Sequence, residues 1–123
     1  MKEKVLKDKT LKFAIRIVNL YKFLIENKKE FVLSKQILRA GTSIGANCRE
    51  GDFAESKVDF IHKLSIAQKE CNETMYWLEL LFLTNFISDA EYKSIYSDAE
   101  EIIKLLTASI KTAKASLKLI TKH

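Results

Sequence analysis

No proline interrupts this 123-residue chain, and its three glycines, Gly41, Gly45 and Gly51, fall within eleven positions of one another. Average usage would supply roughly six prolines and eight or nine glycines at this length. Sandwiches and barrels turn on both residues, so composition argues against an all-β architecture. Outside the glycine window no residue strongly breaks a helix. The length suits one domain, residues 1–123, around one core. At 47% hydrophobic and 30% charged residues, the chain reads as folded rather than disordered. Its longest apolar run, Leu80–Leu83, is far short of the ~20 residues that span a bilayer, and Met1–Lys12 lacks an apolar signal core. A cytoplasmic protein without a membrane partner is expected.

Four helical segments account for nearly everything. The first runs from about Thr10, or a turn earlier, to Glu26, and it carries two adjacent apolar stripes. One is Leu11, Ala14, Val18, Tyr21 and Ile25; the other is Phe13, Ile17, Leu20 and Leu24. A polar break at Asn27–Glu30 follows. The second segment opens near Ser34 as N-cap and closes at Gly51 as the C′ glycine. Gly41 and Gly45 stand one turn apart inside it, among the small residues Ala40, Ser43 and Ala46, which predicts close approach of another helix. Ser-x-x-Asp at Ser56 and Asp59 opens a third helix that runs to about Asn85. Ser-x-x-Glu at Ser88 and Glu91 opens a fourth, which reaches ~45–50 Å if it runs to the C-terminus. Short connections predict an all-α fold, an antiparallel up-down-up-down four-helix bundle.

Enzyme patterns are thin. A di-iron bundle needs two Glu-x-x-His pairs, whereas the nearest match is one Asp59-x-x-His62, and the other histidine is His123. Arg49 and His62 stand thirteen positions apart, too far for the helical ribonuclease pattern of an arginine followed closely by a histidine. Gly41-x-x-x-Gly45 lacks the Lys-Ser/Thr ending of a phosphate loop. Cys48 and Cys71 are too few for a zinc site and read as small buried residues of a reduced protein. No catalytic residue, metal ligand or cofactor is assigned, and a non-enzymatic protein is expected.

Charge is more informative. The chain carries +5, and residues 1–51 hold twelve basic and five acidic side chains. After Glu101 the tail is purely basic, with Lys104, Lys111, Lys114, Lys118 and Lys122 on one helical face. Lys9, Lys12 and Arg16 line a face of the first helix, and Arg39 and Arg49 add charge on the second. These ten are the candidate phosphate contacts, acting by counterion release and without base readout; the ordinary alternative is a solvated lysine face. The surplus apolar stripe of the first helix predicts a subunit interface, assigned to Phe13, Ile17, Leu20 and Leu24 together with Tyr76 and Trp77.

The stretch Ile37-Leu38-Arg39-Ala40-Gly41-Thr42-Ser43-Ile44-Gly45-Ala46-Asn47, then Arg49-Glu50, resembles the 23S rRNA intervening-sequence protein family. So do Ala54-Glu55-Ser56-Lys57, Asp59-Phe60-Ile61-His62-Lys63-Leu64 and Tyr76-Trp77-Leu78-Glu79-Leu80-Leu81. The resemblance implies a bacterial antiparallel four-helix bundle that forms homo-oligomeric rings, as pentamers. It also implies kinship with the accessory protein of diversity-generating retroelements, which partners a reverse transcriptase and binds nucleic acid. No catalytic residues come with it. Cys48 and Gly51 depart from the family pattern, where an aromatic or isoleucine and an alanine are common. Within the matching stretch, Gly41, Gly45, Asn47, Glu50, Gly51, Ser56, Asp59 and His62 are read as structural. Asn47 and Glu50 are expected to bond to the 51–56 connection, and Asp59 to pair with His62. The expected function is a homo-oligomeric RNA- or DNA-binding or adaptor protein. The alternative is a protein-interaction scaffold with no nucleic-acid role.

Overall fold

The computed structural model describes residues 2–121, so Lys122 and His123 lie outside the described residues. Four helices follow in order: α1 (Lys2–Asn27), α2 (Leu33–Asp52), α3 (Lys57–Leu83) and α4 (Asp89–Thr121). No strand occurs among the described residues. Each helix packs on its chain neighbours, and α1 closes the square against α4. Cross-helix bonds establish the antiparallel sense. Arg39 meets Glu70 while Glu50, further along α2, meets Lys63, earlier in α3. Likewise Gln68 reaches Thr107 and Lys57 reaches Ser116. This is the up-down-up-down bundle that the short connections predict. No helix among the described residues is long and apolar enough to cross a membrane.

The core is built from one stripe of each helix. Phe13, Ile17, Leu20 and Leu24 of α1 are buried with Ile37, Ile44 and Cys48 of α2, Leu64, Cys71, Leu78 and Leu81 of α3, and Ile95, Ile102 and Leu106 of α4. Each large side chain withdrawn from water contributes ~1.5–3 kcal/mol. Placing Phe13, Ile17, Leu20 and Leu24 at a subunit contact is therefore corrected: they face their own bundle, where no second chain can touch them. The adjacent stripe is only partly withdrawn from water, with Leu11 exposed and Ala14, Val18, Tyr21 and Ile25 half-buried. Three buried hydroxyls stay satisfied by backbone carbonyls: Thr10 bonds to Lys7, Ser34 to Glu30 and Thr74 to Glu70.

Helix ends divide into those with short-range signals and those without. Ser56 accepts from the Asp59 N–H at 3.0 Å and Ser88 from the Glu91 N–H at 3.2 Å, as their motifs predict. The start of α2 differs. Ser34 lies inside the helix and buried, and the cap is Glu30, whose carboxylate accepts the N–H groups of Val32, Leu33 and Ser34 at 2.7–2.9 Å. Gly51 also differs, because it is helical and buried, no glycine has positive φ, and the cap position falls at Phe53. The left-handed positions belong to Lys29 (φ 54°) and Asn85 (φ 66°). Asn85 ends α3 in a Schellman motif, its N–H bonding to Phe82 O and that of Phe86 to Leu81 O. The first helix begins two turns before Thr10, since Leu6 is buried in the core and continues the Phe13 stripe.

Gly41 sets the spacing of α1 and α2. A Cβ built on it would lie 2.7 Å from Ile17 Cγ1 and 2.8 Å from Cγ2. Ile17 is fully buried and has nowhere to retreat. Gly41→Ala should therefore cost about 1–3 kcal/mol despite alanine's better helix propensity. An unchanged urea midpoint would refute the close approach.

A second prediction concerns Glu30. Burial alone would raise its pKa, but the bonds from the N–H groups of Leu33, Ser34 and Val32, aided by the Ser34 hydroxyl, lower it overall. A depressed folded pKa means the carboxylate stabilises the protein above the unfolded value, and that this is lost as pH falls through the folded value. Glu30→Gln should thus lower stability at pH 7 by about 1 kcal/mol. The gap to wild type should close as pH drops below about 4, the ordinary glutamate range. A gap independent of pH, followed by denaturant melts from pH 7 to 3, would show that Glu30 acts without its charge.

Candidate nucleic-acid interface

Helix packing sorts the ten candidate cations into separate groups. Because α1 and α4 run antiparallel in contact, Lys9 pairs with Glu101, and Arg16 Nη1 lies 2.7 Å from Asp98 Oδ2. The hydrogen bond and charge of Glu101 raise the pKa of Lys9. On α2, Arg39 forks across to α3, with Nη1 3.0 Å from Glu70 Oε2 and Nη2 on Glu73. Glu73 also accepts from Trp77 Nε1 at 3.1 Å. Exposed pairs of this kind stabilise by only ~0.2–1 kcal/mol. They do cancel the field that a phosphate would feel. Lys12 borders a groove between α1 and α4 together with Asp98 and Glu101, so it too looks onto acids. Arg49 stands apart, exposed at the edge of α2.

The α4 lysines are different. Lys104, Lys111 and Lys114 are exposed, and none has an acidic partner among the described residues. Lys118 is exposed one turn beyond Lys114. Seven residues separate Lys104 from Lys111, and seven more separate Lys111 from Lys118, so these ammonium groups recur every ~10.5 Å along a straight backbone. The inner edge of α4 is bound to α3 by the Gln68–Thr107 hydrogen bond at 2.9 Å, and its later part by Lys57 to Ser116 at 3.1 Å. The backbone of the row is thereby tied to the bundle. Lys122, the fifth member in sequence, lies outside the described residues.

The remaining motif positions are structural, some in unexpected ways. Asn47 donates to Ser43 O at 2.8 Å within its own helix, and Glu50 takes Lys63 at 3.2 Å on α3. Neither bonds the 51–56 connection. Asp59 contributes its backbone N–H to the cap, but no ion pair joins it to the exposed His62 among the described residues. Tyr76 is exposed and meets half-buried Trp77 edge-on, with centroids 5.1 Å apart. No three His, Cys, Asp or Glu side chains come together as metal ligands among the described residues. The Arg39–Glu70–Glu73–Trp77 network escaped sequence reasoning because Arg39 lies more than thirty residues before the other three. Only the pairing of α2 with α3 reveals it.

A model of the 23S rRNA-intervening sequence protein family matches residues 2–108. Among solved structures, the chain is similar to a protein of unknown function from the S23 ribosomal protein family of Bacteroides thetaiotaomicron VPI-5482. That likeness has 63% sequence identity and a TM-score of 0.89, and it covers 90% of this chain and 99% of the other. No curated protein matches the chain.

Both cysteines are buried free thiols whose pKa burial pushes up to about 12. Since the thiolate is the reactive form, neither should be modified by a thiol reagent at pH 8 in the native state, and both should react in denaturant. Stoichiometric labelling of native protein at the rate of a free thiol would contradict this burial.

Proposed function

We propose that this chain, which belongs to the 23S rRNA-intervening sequence protein family, is a cytoplasmic, non-enzymatic, homo-oligomeric bundle that holds RNA or DNA by phosphate contacts along α4. The observation that carries the reading is the row Lys104, Lys111 and Lys114, exposed and without acidic partners on a helix that has no acid after Glu101. A row of ammonium groups along one helix attracts the phosphates of a nucleic-acid strand and releases their counterions. It carries no hydrogen-bonding geometry that would discriminate bases. The binding expected is therefore tolerant of sequence and sensitive to salt, which suits an adaptor that brings nucleic acid to a protein partner such as a reverse transcriptase.

The ion pairs refine which residues take part. Lys9, Arg16 and Arg39 are committed to acids within the bundle, so the reading rests on α4 and leaves them a minor share. A scaffold without nucleic acid is the second reading, favoured by the exposed Tyr76 beside Trp77.

Fluorescence anisotropy with a structured RNA tests the proposal. Replacing Lys104, Lys111 and Lys114 by glutamate should abolish binding at low salt. Replacing them by alanine should reduce the slope of log affinity against log salt by about 2–3. Arg39→Ala should leave affinity within about twofold. Wild-type protein that fails to bind at low salt, or a glutamate triple variant that binds normally, would defeat the nucleic-acid reading and leave the scaffold.

A further inference from the structure

The outward stripe of α1 meets α2 along a groove of about 360 Å³. Its walls are Leu11 and Ala14 from α1 and Gly45 and Ala46 from α2, and Leu11 is 51% exposed. The opening exists because three of these four residues have no side chain beyond Cβ. Thr10 closes the floor, 3.3 Å from where a Cβ on Gly45 would stand. Lys7 and Arg49 occupy the rim without acidic partners among the described residues. The acid at the rim, Glu50, is held by Lys63. The groove is thus apolar within and positive at its edge.

At the corner after α2, the same chain carries a projection of opposite character. Phe53 is 82% exposed, the highest exposure among the large hydrophobic side chains described. It does not ride on a loose loop. Its N–H bonds to Glu50 O and that of Ala54 to Gly51 O, both at 3.1 Å, and two residues later Ser56 caps α3. Asp52 and Glu55 flank it, both exposed. An aromatic ring held in water between two carboxylates on an ordered corner matches a carbon-lined groove rimmed by Lys7 and Arg49 in both chemistry and charge. The exposure of Phe53 shows that it does not enter the groove of its own chain.

We propose that Phe53 of one copy inserts between α1 and α2 of a second copy, with Asp52 and Glu55 set against Lys7 and Arg49. This rests on the homo-oligomer reading and gives it a contact. Buried aromatic anchors in closed pockets carry a disproportionate share of association energy, so one ring dominates the interface.

Light scattering and sedimentation across micromolar concentrations provide the test. Phe53→Ser removes an exposed side chain and should leave the melting temperature unchanged while weakening self-association at least tenfold. Ala46→Glu, which fills the groove with an acid facing the acids of the corner, should do the same from the other side. A Phe53→Cys chain mixed with an Ala46→Cys chain should form a mixed cross-link with a short bis-maleimide, since the native cysteines are buried. Wild-type protein that stays monomeric at tens of micromolar would overturn the contact and the homo-oligomer reading together. Wild-type protein that assembles, with Phe53→Ser and Ala46→Glu assembling equally well and no mixed cross-link, would overturn the contact alone.

Discussion

The meeting of Ile17 with Gly41 governs much of this bundle. A missing Cβ lets α1 settle onto α2 until the isoleucine side chain lies against the opposite backbone. A helix drawn toward one neighbour has less surface left for the other, and α1 packs less extensively on α4 than on α2. Side chains that reach further than a core methyl span the α1–α4 seam: Lys9 to Glu101 and Arg16 to Asp98. The backbone approach on one side of α1 thus helps explain why charged pairs bridge the other.

That arrangement has a consequence for the charged surface. The first half of the chain holds most of the excess positive charge in sequence, yet packing sets two of its cations against acids of α4 and a third against acids of α3. The first half of α4 gives up carboxylates to those pairs, and its later part has none to give. On the later part of α4, Lys104, Lys111 and Lys114 therefore stay exposed without acidic partners among the described residues. Charge counted along a chain and charge presented by a fold are different quantities, because a pair across a seam removes both members from the surface field.

Much of the fold was legible because its determinants are local. Capping serines three residues ahead of an acid, apolar steps of three and four, and a lack of proline all act within one or two turns, so Ser56, Ser88 and the four helices could be read directly. The Glu30 cap could not, since a glutamate in a polar break looks like any surface charge until its carboxylate is seen folded back over three N–H groups. Asn85 carries a readable signal of its own, as asparagine is a common left-handed residue at C′. The α1 stripes failed for a different reason. Both are apolar and adjacent, and which of them turns inward depends on where α2 and α4 dock, which is tertiary information. The candidate site divides the same way: the α4 lysine row is a periodicity and was visible, whereas the pairs that neutralise Lys9, Arg16 and Arg39 join residues far apart in sequence.

The small residues of α2 serve two ends that pull against each other. At Gly41 the lack of a side chain is filled from within, by Ile17, and the space vanishes into the core. One turn on, at Gly45 and Ala46, the same economy leaves a groove that nothing in the chain fills. A sequence selected only for the stability of one bundle would gain by putting a larger apolar side chain at position 46, where the surface is open and a longer stem would cover Leu11. Leaving it empty exposes Leu11 to water, and holding Phe53 out on a bonded corner exposes a ring as well. Each is an unfavourable exposure for an isolated chain. In the proposed contact the ring of one copy occupies the groove of another, the two exposures offset each other, and the packing of α1 on α2 is linked to assembly.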